Sequence, residues 1–179
     1  MKILNRRYYA GNANLTGYQN TANGYQSLFS NITGILNTAN GYQSLFSNTT
    51  GSYNTANSVL SLYNNATGDG NTAYDYYSLN NNTTGLNNTA SGSSSLAYNT
   101  TGSSNAALGG YAFFYGEDYS NSTALGNYAQ PGGSNEIMLG NSSVSWIGGY
   151  TSWHNTSNAR MKNRINEDVK GLSTIKFRV

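Results

Sequence analysis

Apolar and polar positions along most of this chain follow a pattern that repeats every seventeen residues and has no helical spacing. The consensus of the repeat is N-T-A-x-G-x-x-S-L-x-x-N-T-T-G-x-x. Its copies begin at Asn20, Asn37, Asn54, Asn71, Asn88, Asn105 and Ser122. A fixed period of this length is typical of stacked architectures in which each unit contacts chiefly its neighbours. The pattern therefore predicts an all-β fold, a parallel β-roll or β-solenoid with one coil per repeat.

Two positions of the repeat make up the predicted core. Because the coils stack, each position forms a column of equivalent residues. The third position is always alanine: Ala22, Ala39, Ala56, Ala73, Ala90, Ala107 and Ala124. The ninth position is large and apolar in six copies: Leu28, Leu45, Leu62, Leu79, Leu96 and Phe113. Coils in such a stack rise by about 4.8 Å each. We therefore expect both columns to face inward, one small and one large side chain at each level.

The end of each repeat carries the predicted turn residues. The glycines of the fifteenth position are expected to adopt positive φ in a tight turn. They are Gly34, Gly51, Gly68, Gly85 and Gly102. The Asn and Thr residues before them are predicted to close Asx-type turns and to form hydrogen-bonded ladders between coils. The same asparagines open N-x-T glycosylation sequons, at Asn31, Asn48, Asn65, Asn82 and Asn99, but their strict column favours turn chemistry.

Charge is scarce, and the basic residues lie at the two ends. Charged residues make up 9% of the 179 residues, the net charge is +2, and there is no cysteine for disulfides or thiolate metal sites. No Lys or Arg occurs between Tyr8 and Ala159. A body without cations cannot follow a phosphate backbone, so we expect no nucleic-acid partner. No apolar run reaches the roughly 20 residues needed to span a bilayer, so we expect no membrane insertion.

Between Tyr8 and Ala159, the aromatic side chains indicate binding, and the acidic side chains show no spacing that is typical of a metal or catalytic site. A candidate aromatic surface consists of Tyr25, Tyr42, Tyr74, Tyr76 and Tyr77. The sequence leaves open whether these rings stack on sugars or pack between chains. The carboxylates Asp69, Asp75, Glu117 and Asp118 lack the spacing of known Ca²⁺ loops and are interpreted as turn residues. The single histidine, His154, has no neighbouring metal ligands, so we expect no metal and no cofactor.

In a single copy of this thin solenoid, each coil buries little apolar area compared with the number of residues that it orders. Fixing seventeen residues per coil costs much conformational entropy, and one Leu and one Ala per coil offset only part of it. Packing several chains around a shared axis buries a second face. The repeat is therefore predicted to form an obligate oligomer.

Two later copies of the repeat carry a resemblance to known proteins. The segments NAALGGYAFF from Asn105 and STALGNYAQP from Ser122 resemble the S-V-A-I-G-x-x-A motif of trimeric autotransporter adhesin heads. The longer unit is similar to repeats of phage and bacterial tail-fibre proteins, and the similarity covers about residues 14–129. It implies a parallel homotrimer on a virion tail fibre or an extracellular surface. Its expected partner is a host-surface glycan or protein receptor.

The C-terminal segment carries a second resemblance. The run from Ser157 to Ile175 resembles the start of the endosialidase-type intramolecular chaperone domain of tail spikes, which opens S-D-x-R-x-K-x-N-I and continues to G-L-x-x-I. Asn158 and Arg164 depart from that pattern. The resemblance implies a self-cleavage dyad formed by Ser157 and Lys162. Because only the start of that domain is present, we expect no enzymatic activity from this chain.

These observations predict four segments. They are a degenerate first coil at 1–19, a seven-unit β-roll at 20–129, a neck at 130–156 and the start of the chaperone domain at 157–179. The spacing of Ile165, Val169, Leu172 and Ile175 predicts that residues 158–179 form a short helix or a poorly ordered tail, and not a strand. The predicted function is a structural and adhesive segment of a trimeric fibre. The alternatives are an ice- or surface-binding β-solenoid and a self-cleaving tail-fibre chaperone precursor.

Overall fold

The computed structural model describes residues 4–5, 9–115 and 118–147. Within these residues the chain forms nine strands and no helix, so the all-β prediction is confirmed. The strands are β1 Leu4–Asn5, β2 Thr21–Asn23, β3 Thr38–Asn40, β4 Thr55–Asn57, β5 Thr72–Tyr74, β6 Thr89–Ser91, β7 Ala106–Leu108, β8 Thr123–Leu125 and β9 Ile137–Leu139. One compact unit spans Met1–Val144; a second, Ser145–Val179, is described only at residues 145–147.

All nine strands belong to one parallel sheet in which each strand pairs with the next along the chain. From β1 to β8 the paired residues are seventeen apart, so that Ala39 lies opposite Ala56 and Thr38 opposite Thr55. The fold is thus a parallel β-solenoid with one repeat per coil, as the period predicted. Each coil contributes only three residues to this sheet, so the strands are short.

The last coil is shorter than the others. Thr123 of β8 pairs with Ile137 of β9, fourteen residues later. Stacking therefore continues beyond residue 129, where the sequence predicted the neck to begin. The loss of three residues from the coil ends the seventeen-residue period, which is why the sequence pattern does not reveal β9. Met138 occupies the alanine column at this end and is 38% exposed.

Hydrogen bonds join neighbouring coils around the whole perimeter, outside the strands as well as within them. The Leu28 amide donates to the Ser44 carbonyl at 2.9 Å, and the Ile32 amide donates to the Thr49 carbonyl at 2.8 Å. The Gln43 amide donates back to the Tyr25 carbonyl at 2.9 Å. Each coil thus uses its neighbours to satisfy peptide groups that a turn in an ordinary loop would leave to solvent.

The predicted core columns lie inside the solenoid. The seven alanines of the third position are between 0% and 2% exposed, and the five leucines and Phe113 are 0% exposed. The leucines adopt positive φ, for example 50° at Leu28 and 49° at Leu62. This conformation is uncommon for a bulky residue. Complete burial of each leucine against copies of itself offsets the backbone strain.

Much of the interior is polar, and it is held by a ladder of asparagines at the twelfth position. The Asn48 side-chain amide donates to Asn31 Oδ1 at 2.8 Å and to the Gly51 carbonyl at 2.9 Å. The same pair of bonds recurs at Asn65 and Asn82. These asparagines are fully buried, so the sequon nitrogens serve as ladder donors and are not accessible to a glycan in the folded chain.

A second asparagine column, at the first position, completes the polar interior. Asn37 Oδ1 accepts from the Asn54 amide at 2.9 Å, and Asn37 Nδ2 donates to the Gly51 carbonyl at 2.8 Å. The Gly51 carbonyl therefore accepts two side-chain bonds, one from each asparagine column. Because nearly every buried amide atom has a partner, these columns avoid the cost of burying polar groups.

The glycines of the fifteenth position are required for a reason other than the predicted one. Gly34, Gly51, Gly68, Gly85 and Gly102 are absent from the residues with positive φ, so that part of the prediction is wrong. A Cβ on Gly51 would lie 2.6 Å from the Gly68 carbonyl oxygen and 2.9 Å from Asn65 Nδ2. Close approach of successive coils, rather than backbone conformation, excludes a side chain there.

The alanine column should not accept a larger side chain. Ala56→Leu is expected to lower the free energy of unfolding by about 1–3 kcal/mol, because coils above and below leave no space beside it. Urea denaturation followed by circular dichroism measures the change. Asn57→Leu is the control, because this column already holds Leu108 and Leu125 on the outside. Equal losses in the two variants would contradict the assignment of inward and outward positions.

Gly51→Ala should destabilise the chain by about 1–3 kcal/mol although alanine is compatible with its φ, since the new methyl group meets a carbonyl and two amides. Gly132→Ala is the matched control, because its Cβ would meet only Glu136 Oε2 at 3.6 Å. Thermal unfolding of both variants tests the explanation. An unchanged melting temperature in Gly51→Ala would show that the coils have room for a side chain at this position.

Candidate binding surface

Three of the predicted surface tyrosines lie in one column on the outside of the solenoid. Tyr25, Tyr42 and Tyr76 occupy the sixth position of their coils and are 43%, 47% and 52% exposed. Tyr25 and Tyr42 stack with centroids 5.5 Å apart and planes 10° from parallel. Val59 occupies the same column between Tyr42 and Tyr76 and interrupts the stack. Tyr9 meets the edge of Tyr25 at 6.4 Å.

The other two predicted tyrosines belong to the coil of Tyr76. Tyr74 is on β5 and is 45% exposed, whereas Tyr77 is half-buried and lies 5.8 Å from the ring of Tyr76. The structure thus divides the predicted surface into two groups, Tyr25 with Tyr42 and Tyr76 with Tyr77. They lie on the same side of the coil but do not form one continuous stack.

A second aromatic column was not predicted. Phe29, Phe46 and Tyr63 occupy the tenth position of three successive coils and stack at 5.2 Å and 5.1 Å with planes 6° from parallel. All three rings are half-buried. The recurrence of F, F and Y at seventeen-residue spacing is the signal that identifies this column in the sequence.

The final coils carry a further group of rings, which we name the C-terminal aromatic cluster. It consists of Tyr98, Tyr111, Phe114, Tyr115 and Tyr128. Phe114 lies at its centre and meets three of the tyrosines edge to face at 5.0–5.1 Å. Tyr111 and Tyr128 stack at 4.9 Å. The dense run Y-A-F-F-Y at 111–115 is its sequence signal.

A cleft of about 630 Å³ lies beside this cluster. Two of its walls are Tyr115 and Tyr128, which are 71% and 44% exposed. Other lining residues are Gln130, Met138, Asn141 and Ser143. None of the lining residues is charged, so the cleft combines aromatic faces with neutral amide and hydroxyl groups.

Two of the four predicted turn carboxylates, Asp69 and Asp118, bond to turns of the preceding coil. Asp69 Oδ1 accepts from the Ser52 amide at 2.7 Å. Asp118 accepts from the Thr100 and Thr101 amides at 2.7 and 2.8 Å and from the Thr100 hydroxyl at 2.6 Å. Partial burial alone would raise the pKa of Asp118, but these bonds outweigh it and lower the pKa from 3.8 to about 2. Among the described residues no three acidic or histidine side chains come together as a metal site.

Asp118 replaces a backbone acceptor of the regular coils. In earlier coils the two threonine amides donate to a carbonyl of the next coil, as Thr49 and Thr50 do to Ala66. Where Gly116 to Tyr119 replace the N-T-T-G sequence, the Asp118 carboxylate accepts the bonds from Thr100 and Thr101 instead. At this turn, the coil that carries Phe114 and Tyr115 is therefore bonded to the preceding coil through a carboxylate instead of a backbone carbonyl.

Four residues singled out in the sequence lie outside the described residues: Glu117, His154, Ser157 and Lys162. The predicted tail at 158–179 lies outside them as well. Comparisons of the chain with protein-family models, curated proteins and solved structures gave no match. In the part of the chain that the structure describes, no helix is long and apolar enough to cross a bilayer. On the part of the surface that the structure describes, the exposed aromatic groups and the cleft are the features that suit binding, because they offer ring faces and neutral polar groups.

The contribution of Asp118 to stability should depend on pH. Its pKa is lowered on folding, so the stabilisation is fully present above about pH 4, decreases as the pH falls, and is lost below about pH 2. Asp118→Asn should lack this component. The melting temperatures of the two proteins should therefore converge between pH 4 and pH 2.

Asp75→Asn is the control for this titration, because Asp75 is exposed and takes no part in the Thr100–Thr101 site. Its melting temperature should follow that of the parent chain across the same pH range. A constant difference between the parent chain and Asp118→Asn from pH 7 to pH 2 would contradict the assigned role.

Proposed function

We propose that this chain is a structural and adhesive segment of a parallel homotrimeric fibre, of the kind found in phage tail fibres and surface adhesins. The observation that carries the proposal is the set of aromatic rings on the outside of a regular solenoid, with Tyr25 stacked on Tyr42 and Phe46 between Phe29 and Tyr63. The resemblance of the repeats to adhesin heads and tail fibres supports it. The fibre belongs to a virion or an extracellular surface.

The solenoid is suited to a mechanical role. Its eight steps from β1 to β9 span about 38 Å at the usual strand spacing. Bonds between coils occur in the strands, in the turns and in both asparagine columns. A segment bonded in this way at every level resists bending and local opening, since opening one coil breaks bonds to the coils on both sides.

The exposed rings support self-association. Copies that are parallel and in register present the same coil at the same height, so Tyr42 and Phe46 of one copy meet the corresponding level of its neighbours. Both residues belong to stacks that are only partly covered within one chain. Burial of their remaining faces contributes to the free energy of assembly.

A second candidate function, a surface-binding or ice-binding solenoid, rests on one column of threonines. The fourteenth position is exposed threonine in six successive coils: Thr16, Thr33, Thr50, Thr67, Thr84 and Thr101. A regular polar array of this kind suits an ordered surface. Thermal hysteresis of the purified chain above that of a matched globular protein would favour this function over the fibre.

The third candidate, a self-cleaving fibre precursor, remains a prediction from the resemblance at Ser157 and Lys162. Mass spectrometry of the purified chain tests it. A product that ends immediately before Ser157, and that is absent in Ser157→Ala, is the expected result of such a reaction.

The fibre proposal predicts a specific mass in solution. Analytical ultracentrifugation at micromolar concentration should give three times the chain mass of 19.2 kDa, because the partly covered rings are buried between copies. The melting temperature should also rise with protein concentration, as mass action requires of an assembly. A folded monomer with a concentration-independent melting temperature would contradict the proposal.

A further inference from the structure

The cleft at the C-terminal end of the solenoid has fixed aromatic walls. Tyr128 stacks on Tyr111 at 4.9 Å, and Tyr115 meets Phe114 at 5.0 Å. Phe114 in turn meets Tyr111 at 5.1 Å, so both walls belong to one group of mutually packed rings. Such packing holds Tyr115 and Tyr128 in place although both remain substantially exposed.

The polar groups of the cleft are also oriented before any ligand arrives. Gln130 accepts from the Tyr115 amide at 3.2 Å and donates to the Tyr111 carbonyl at 2.9 Å. Asn141 donates to the Asn127 carbonyl at 2.8 Å and accepts from the Ser143 amide at 2.9 Å. The side chains therefore lose little further freedom on binding, which favours affinity.

Charge restricts the class of ligand. The lining residues of the cleft are all neutral. No Lys or Arg lies anywhere between Tyr8 and Ala159, whereas Asp118 and Glu136 are in the same coils. Among the described residues, an anionic ligand would find no opposite charge there and would meet acidic neighbours.

We propose that this cleft binds a neutral pyranose unit of a glycan. A pyranose presents C–H groups on its faces and hydroxyl groups around its edge. Tyr115 and Tyr128 supply flat apolar surfaces for the faces, and Gln130, Asn141 and Ser143 supply amide and hydroxyl groups for the edge. The proposal rests on the adhesive function proposed above and places the receptor contact in this cleft, apart from the stack of Tyr25 and Tyr42.

Binding is tested with defined sugars on the intact chain. The probes are the methyl glycosides of glucose, galactose, mannose and N-acetylglucosamine, with N-acetylneuraminic acid as the charged comparison. Saturation-transfer NMR should show contact with at least one neutral glycoside and none with the acid. Contact with the acid alone, or with no sugar, would overturn the proposal.

Variants locate the site. Tyr115→Ala should raise the Kd of the bound glycoside about tenfold, and Tyr115→Phe should keep most of the affinity because the ring remains. Ser143→Trp, which fills the cleft without removing an aromatic wall, should abolish binding. Tyr18→Ala is the matched control, because Tyr18 is another exposed tyrosine outside the cleft. Circular dichroism and melting temperature verify that each variant folds.

The outcome for Tyr42→Ala separates this proposal from the function on which it rests. Sugar binding that is lost in Tyr42→Ala and retained in both Tyr115→Ala and Ser143→Trp would overturn the cleft and leave the adhesive fibre intact. A monomeric chain that still binds a neutral glycoside through Tyr115 would support the cleft and contradict the trimeric fibre. Binding that is weakened in Tyr115→Ala, abolished in Ser143→Trp and unchanged in Tyr42→Ala supports the cleft.

Discussion

The small spacing between coils is the constraint on which the rest of this structure depends. Each inward residue must pack against, or bond to, the same residue type about 4.8 Å above and below it. Leucine and alanine satisfy this requirement by contact alone. Among polar side chains, a primary amide meets it best because it carries a donor and an acceptor on one group and can bond to a copy of itself. The asparagine columns, with Asn48 between Asn31 and Asn65, are the result.

Outward positions are free of this constraint, and several of them vary. The sixth position changes from Tyr42 to Val59 and then to Tyr76, while the core residues beneath remain the same type. The solenoid therefore separates stability from recognition. Its interior specifies the stacking, and its exterior can carry rings, threonines or a cleft with little effect on the coils that support them.

The sequence predicts the interior better than the exterior. The period and the identity of the inward columns follow from repetition, since inward residues such as Ala56 and Leu62 must recur to pack against their copies in neighbouring coils. Backbone conformation and contacts between coils are harder to predict from repetition. Left-handed φ at the leucines has no signature in residue type, and the glycines of the turn are required by contact between coils that are seventeen residues apart. The C-terminal aromatic cluster does not follow from the repeat because its members are divided among three columns, the seventh, tenth and eleventh positions.

The asparagine ladder also has a direction. Every donor points to the preceding coil: Asn48 to Asn31, Asn65 to Asn48, and Asn99 to Asn82. The last acceptor, Asn99 Oδ1, is buried without a hydrogen-bond partner among the described residues, and the next position in its column is Gly116, which has no side chain. A finished coil thus presents open carbonyl oxygens to the coil that follows it. Because each repeat offers the same acceptors to the repeat that follows, duplication of one repeat would lengthen the solenoid without any new type of interface.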